Sequence, residues 1–330
     1  MATLQQFITF LRIPPWVSAG LAIILGAIYG LLMRLAMEKE LMTICFIFLV
    51  PIAIGFLTVW LSPEKWRMKW WYAVVMPWLA AFLFLIGAML TNLEGLICVA
   101  FIFPVVAIFG SLGGLCARIL AGLRATTSAR QQSLVLASLV IIPFVSVPLE
   151  NGILGDNHSV KTVESEIRIH APKEVVWRNI IRVPAIQPQE QTTSFFHRIG
   201  FPKPIEATLS QEGIGGVRHA SFERGVVFTE TITDWRDQEF ISFSIKANTE
   251  AIPPTTFDEH VTIGGKYFDI LQGTYRLEQQ GDDVILHLWS EQRLSTNFNL
   301  YAGLWTGAIM QDIQSNILMV IKRRCEAVRE

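Results

Sequence analysis

Hydrophobic positions follow one pattern before about residue 150 and another after it. In the first part they run unbroken. Residues 13–33, 41–63, 70–93, 95–117 and 131–149 contain no Asp, Glu, Lys or Arg. A helix rises about 1.5 Å per residue, so roughly 20 apolar residues cross a hydrocarbon core about 30 Å thick. The pattern predicts five membrane spans over 15–34, 41–61, 70–91, 95–118 and 131–149, the last broken late by Pro143 and Pro148. Domain boundaries follow: a transmembrane helical region over 1–150, a Gly/Asn-rich linker over 151–160, and a water-soluble domain over 161–330.

In that second part apolar and polar residues alternate, with frequent charges. Residues 163–170 read as a strand. Ala171-Pro172-Lys173-Glu174 opens a helix, with Pro where a missing N–H costs nothing. A loop over 184–204 contains a short helix near 194–199. Strands follow over 205–211, 216–224, 226–235, 239–247, 267–279 and 283–294, separated by turn residues. A helix over 299–328 closes the chain, with Trp305, Ile309, Ile313, Ile317 and Val320 on one face. This order makes an α+β domain. A curved sheet over so large a helix cannot close tightly, which leaves a cavity between them.

Composition sharpens the membrane reading. The chain is 52% hydrophobic and 17% charged, where soluble domains carry about a quarter charged residues. Its net charge of −1 builds no broad basic face, which argues against a nucleic-acid partner. The first apolar run is too long for a cleavable signal peptide and is followed by further spans. Lys and Arg set orientation. Arg12, Lys65, Arg67, Lys69, Arg118, Arg124 and Arg130 fall on one side of an alternating model, and Arg34 and Lys39 on the other. The positive-inside rule makes the first side cytoplasmic. Five spans then place the N-terminus inside and the C-terminal domain outside, in the periplasm of a Gram-negative cell. Trp60, Trp66, Trp70 and Trp71 form an interfacial belt. The pairs Gly26/Gly30 and Gly110/Gly114 fit small-residue helix packing, within one bundle or across a homodimer. No span carries a buried charge, the usual mark of an ion path, so the bundle reads as an anchor.

Glu166-Ile-Arg-Ile-His-Ala-Pro-Lys-Glu-Val-Val-Trp177 resembles the opening of the START-like superfamily, also called SRPBCC or polyketide cyclase/dehydrase-like. The stretch from Gly264 to Tyr275, continuing through Tyr301-Ala-Gly-Leu-Trp305 into the last helix, is similar to a membrane-tethered bacterial branch. The resemblance covers about residues 160–328. It implies a helix-grip fold with a deep pocket for lipids, sterols, polyketides or similar molecules, and no single reaction. Fold does not settle function.

Strand alternation nominates the residues facing that pocket. Over 226–235, Val226, Phe228 and Ile232 share a register with Glu230 and Asp234. An inward Glu230 is a ligand partner or general base, or it sits at the sheet edge or pairs with an Arg such as Arg218. Over 267–279, Asp269, Leu271, Gly273, Tyr275 and Leu277 face inward, with Gly273 leaving room beside the Tyr275 hydroxyl. Phe243 joins this set, and Tyr301 and Trp305 cap the mouth or pack the core. The six histidines are scattered; His287 faces solvent and His219 is the one worth testing as catalytic. Cys45, Cys98 and Cys116 lie in apolar spans and Cys325 stands alone, so no Cys or His spacing predicts a metal, redox site or cofactor. The long connection over 251–266 is a lid or a solvated hairpin. The sequence therefore points to a membrane-anchored protein that binds a lipid or other hydrophobic molecule. The alternatives are a cyclase/dehydrase-like enzyme using Glu230 or His219, and a docking module of a membrane complex.

Overall fold

The computed structural model describes residues 14–37, 42–123, 129–154, 157–248 and 262–327. Arg12, Lys39, Arg124, His260 and most of the 251–266 connection lie outside them. The chain forms two compact units, Met1–Asn157 and His158–Glu330.

The first unit holds α1 (Pro15–Ala36), α2 (Ile44–Trp60), the single turn α3 (Glu64–Arg67), α4 (Trp70–Leu90), α5 (Leu96–Gly122) and α6 (Ala129–Leu154). Four of them are long and apolar enough to cross a membrane: α1, α4, α5 and the Ser133–Glu150 part of α6. The expected five spans are thus four by this measure. With 17 residues α2 extends about 25 Å, because the Thr43 side chain caps its start at Ile44 by accepting from the Phe46 amide.

Burial is inverted relative to a water-soluble bundle. Leu21, Ile24, Leu25 and Ile28 of α1 are exposed, whereas Ala22, Gly26, Ala27 and Gly30 are buried. In lipid no hydrophobic force separates apolar side chains from solvent, so small residues go where backbones must approach. A Cβ on Gly113 would strike the Ile52 carbonyl of α2, and one on Gly114 the Ala73 carbonyl of α4. Gly26 and Gly30 face Thr58, Ile54 and Phe84 of the same chain. Both glycine pairs are thus turned to the chain's own helices.

Two sequence expectations need correcting here. First, α6 is not broken at Pro143 or Pro148 but continues to Leu154, which shortens the predicted linker. Prolines are tolerated in membrane helices where other groups take up the freed backbone. Second, the helices do carry buried charges, at their ends. Arg34 donates to Glu94 at 2.6 Å and to the Leu93 carbonyl at 2.7 Å. Glu150 accepts from the Ile44 and Cys45 amides at 2.7 and 2.6 Å. It neutralises the positive end of α2 and fills donors that the helix cannot satisfy itself. Arg67 donates to the Ser62 carbonyl at 2.7 Å and lies over the Trp60 ring.

The second unit holds β1 (Ser159–Ile169), α7 (Lys173–Ile181), α8 (Phe195–Ile199), β2 (Pro204–Leu209), β3 (Val217–Phe222), β4 (Val227–Arg236), β5 (Phe240–Ala247), β6 (Phe268–Gln280), β7 (Asp283–Leu294) and α9 (Asn299–Ala327). The strands form one antiparallel sheet in the order β1-β7-β6-β5-β4-β3-β2, curled over the closing helix as in a helix-grip fold. Its core gathers Ile169 of β1, Trp177 of α7, Ile241 of β5, Leu286 of β7 and Leu318 and Ile321 of α9. β1 starts four residues before the predicted 163, because Ser159 to Ile169 pair along the whole of β7.

A buried amide ties α9 to the sheet. The Gln314 side chain donates to the Val163 carbonyl at 3.0 Å and to the Ser290 hydroxyl at 2.9 Å, and accepts from Ser165 at 2.8 Å. Further along, Arg324 grips both carboxylate oxygens of Glu190 at 2.6 and 2.9 Å and the carbonyls of Pro184 and Ala185. Arg324 is thereby the first cause of the lowered Glu190 pKa, and it pins the loop after α7 to the helix.

Two stability predictions follow from this packing. Replacing Gly113 by Leu is expected to lower the thermal midpoint of the full chain in mild detergent, with an overpacking cost of about 1–3 kcal/mol. Gly20→Leu, whose Cβ would meet open space, leaves the midpoint unchanged. Gln314→Leu strands the hydroxyls of Ser165 and Ser290 and is expected to cost about 1–3 kcal/mol in urea unfolding.

Candidate functional site

Between the concave face of the sheet and α9 lies a cavity of about 100 Å³. Its walls are mostly apolar. Ala220 of β3, Phe228 of β4, Phe243 of β5 and Ile270 of β6 line the sheet side, and Ile313 and Ile317 line the helix side. Val183 and Ile186 reach in from the loop after α7. The periodicity of α9 places Ile313, Ile317 and Val320 on this wall as the sequence predicts.

Among these apolar walls sits one buried ion pair. Arg218 of β3 and Glu230 of β4 are cross-strand neighbours, 5% and 6% exposed, and the Arg218 Nη1 donates to a Glu230 carboxylate oxygen. Burial disfavours the Arg218 charge, but Glu230 holds it raised above its ordinary pKa. The guanidinium also lies over the Phe243 ring at 5.5 Å. Its Nε is buried and has no partner among the described residues. Tyr275 of β6 lines the same space. Burial pushes its hydroxyl up to about 12, with Arg218 opposing the shift and Glu230 adding to it. At neutral pH this phenol is a proton donor and not a base.

Of the sequence-nominated residues, Phe228, Glu230, Phe243 and Tyr275 are all brought to this cavity. Tyr301 and Trp305 are not among its walls; they stack edge-on at 6.3 Å in the first turns of α9. His219 is exposed on the opposite face of β3, because the inward register there is Arg218 and Ala220. Two bulges correct further expectations. One lies between Ile232 and Asp234 of β4 and takes Asp234 out of the inward register, so that Trp235 packs beside Trp177, ring centroids 5.0 Å apart. The other, between Ile270 and Gln272 of β6, turns Ile270 inward in place of Asp269 and Leu271. The room left by Gly273 is occupied by the Phe243 ring, its cross-strand partner. His287, on the convex face, is only 15% exposed, between Glu164, Glu166 and Glu278 and stacked on Trp289.

Arg218, named from the sequence as a possible partner of Glu230, forms that pair. Ser290 and Gln314 are cavity residues that alternation did not select, and nothing local marks either as inward.

Ser194, His197 and Asp312 also converge, but as a helix cap. The Ser194 hydroxyl donates to Asp312 at 2.7 Å and lies 2.9 Å from His197 Nδ1, which also receives the Ser194 amide. A nucleophilic triad needs the imidazole to bridge Ser and Asp through its two different nitrogens. Here Ser meets Asp directly. Among the described residues no group of three or more His, Cys, Asp or Glu could hold a metal ion.

No protein-family model matches the sequence, and the search of curated proteins finds no relative. Solved structures with a similar trace include a START superfamily protein from Mycobacterium smegmatis, at 10% identity and a TM-score of 0.35, covering 52% of this chain and 99% of that one. The Zhui aromatase/cyclase from Streptomyces sp. R1128 matches at 13% identity and 0.33, covering 52% and 97%. The Aha1 dimer from Colwellia psychrerythraea matches at 11% identity and 0.30, covering 52% and 99%. The description of the site rests on the side-chain geometry above.

Removing one partner of a buried ion pair strands the other. Arg218→Met and Glu230→Gln are each expected to lose about 3–5 kcal/mol in urea unfolding, and the double variant Arg218→Met/Glu230→Leu to regain most of it. Burial lowers the His197 pKa despite the nearby Asp312. The unfolded chain therefore takes up its proton first, and stability falls as pH drops below about 6.5. Unfolding of His197→Gln followed across pH 5–8 is expected to lose that part of the slope.

Proposed function

We propose that the second unit holds an apolar small molecule in the cavity under α9, as the soluble part of a membrane-anchored binding protein. The observation carrying this reading is a cavity with apolar walls from six strands and a helix, with Arg218, Glu230, Tyr275, Ser290 and Gln314 among its polar lining. Apolar burial supplies affinity at about 25 cal/mol per Å², and a few polar groups set orientation. A dry cavity of about 150 Å³ accepts a benzene ring, so about 100 Å³ accommodates a ring edge or an acyl tip. A larger ligand, for which about 300 Å³ or more is usual, enters by parting α9 from the β2–β4 side of the sheet, where Arg324, Asp312 and Asn316 hold α9 to the loop before β2 and not to the strands themselves.

Catalysis is less well served. The Glu230 carboxylate is committed to Arg218, the Tyr275 phenol keeps its proton, and His219 faces away.

In the membrane unit the reading extends to five alternating crossings. The Arg34–Glu94 and Glu150–α2 contacts gather the end of α1, the start of α2, the α4–α5 turn and the end of α6. The Arg118 Nε donates to the Met68 carbonyl and its guanidinium lies over Trp70, which gathers the start of α4 and the end of α5. With Lys65, Arg67 and Lys69 also at that end, the positive-inside rule makes it cytoplasmic. The ligand domain is then outside the cytoplasmic membrane.

The test is native mass spectrometry of the full chain released from membranes, beside Ala220→Phe, which fills the cavity. A bound apolar molecule of defined mass is expected in the wild type and absent from the variant. The same adducts in both, or none in either, would overturn the reading.

A further inference from the structure

The solvent stripe of α9 changes character along its length. Leu300 and Leu304, one turn apart, are 83% and 67% exposed. Ala308 follows, and beyond it the exposed positions are Gln311, Ser315, Arg323 and Ala327. An exposed stripe of a water-facing helix is polar throughout, so its first two turns require an apolar cover.

The covalent path says what that cover is. Helix α6 ends at Leu154 and β1 begins at Ser159, a separation of at most about 18 Å for a fully extended chain. The apolar part of α6 runs to Glu150, and the last helical turn adds about 6 Å. The covalent link therefore limits how far the Ser159 end of β1 can lie from the end of α6. Leu300 and Leu304 belong to that end of the domain: the Lys161 side chain of β1 lies against the buried Gly303 of the same stretch of α9. The adjoining ends of β6 and β7 bring Lys266 to the same edge, where the Ser295 amide bonds the Tyr267 carbonyl. The neighbouring Arg293 is paired with Asp269, and the exposed Lys266, its ammonium over the Tyr267 ring, adds positive charge beside Lys161 at this edge.

We propose that the first two turns of α9 seat on the lipid surface of the membrane that the chain enters. Leu300 and Leu304 reach the acyl boundary, Lys161 and Lys266 meet phospholipid phosphates, and Tyr301 and Trp305 lie at headgroup level as interfacial aromatics do. The polar remainder of α9 faces water. This docking is independent of whether the cavity holds a ligand.

A photoreactive benzoylphenylalanine at position 300 or 304 of the full chain tests it, in nanodiscs of phosphatidylethanolamine and phosphatidylglycerol. After irradiation, peptides carrying a phospholipid mass are expected to be several-fold more abundant from either position than from the same residue at Gln311. Equal lipid labelling at 311, no lipid adduct at 300 and 304, or adducts there to a second protein chain would each overturn the proposal.

Discussion

One amide sets how closely the terminal helix approaches the sheet. Gln314 is 1% exposed, and both its donor and acceptor sides are engaged by β1 and β7. A buried primary amide is costly unless its groups are met, so the helix can neither rotate nor rise without losing three bonds together. On the β1–β7 side the helix is fixed at hydrogen-bond distance. The sheet curls away from that seam toward β2, and one helix cannot fill the widening gap. The cavity exists because the clamp lies at one edge of the curved sheet and not at its centre.

That asymmetry also explains the polar content of the cavity. A cation alone under an apolar helix would be untenable, and Arg218 persists because Glu230 stands directly across the β3–β4 ladder. The pair is neutral as a unit, yet its geometry leaves Nε uncommitted and places the Tyr275 phenol in the same field. A site of this kind offers directed donors without net charge.

The membrane unit obeys the opposite packing rule under the same physical law. Backbone groups are satisfied inside each helix, so what remains to be decided is how closely helices approach. Glycines at 55, 113 and 114 allow backbone contact, and the larger buried side chains, such as Met33, Ile54 and Leu85, fill the space around those contacts. Charges survive only at helix ends, where Glu150 caps α2 and Arg34 joins Glu94. These end contacts fix the order of the helices without placing a charge at the centre of the bundle.

Sequence periodicity determined most of the elements of this protein, because it is local. Unbroken apolar runs marked the membrane helices, alternation marked seven strands, and a 3.6-residue repeat marked α9 and its Ile313–Ile317 face. Alternation also carried Phe228, Glu230, Phe243 and Tyr275 to the cavity, since each stands in a stretch of strand without a bulge between it and its neighbours. The tertiary structure decided the rest. Bulges at Ile232/Asp234 and Ile270/Gln272 invert the face of every residue beyond them, and they arise from pairing with strands far away in sequence. Arg218, Gln314 and Glu150 look like surface residues in the sequence. What keeps them buried is a partner 12 to more than 100 residues distant, and no local pattern records that distance.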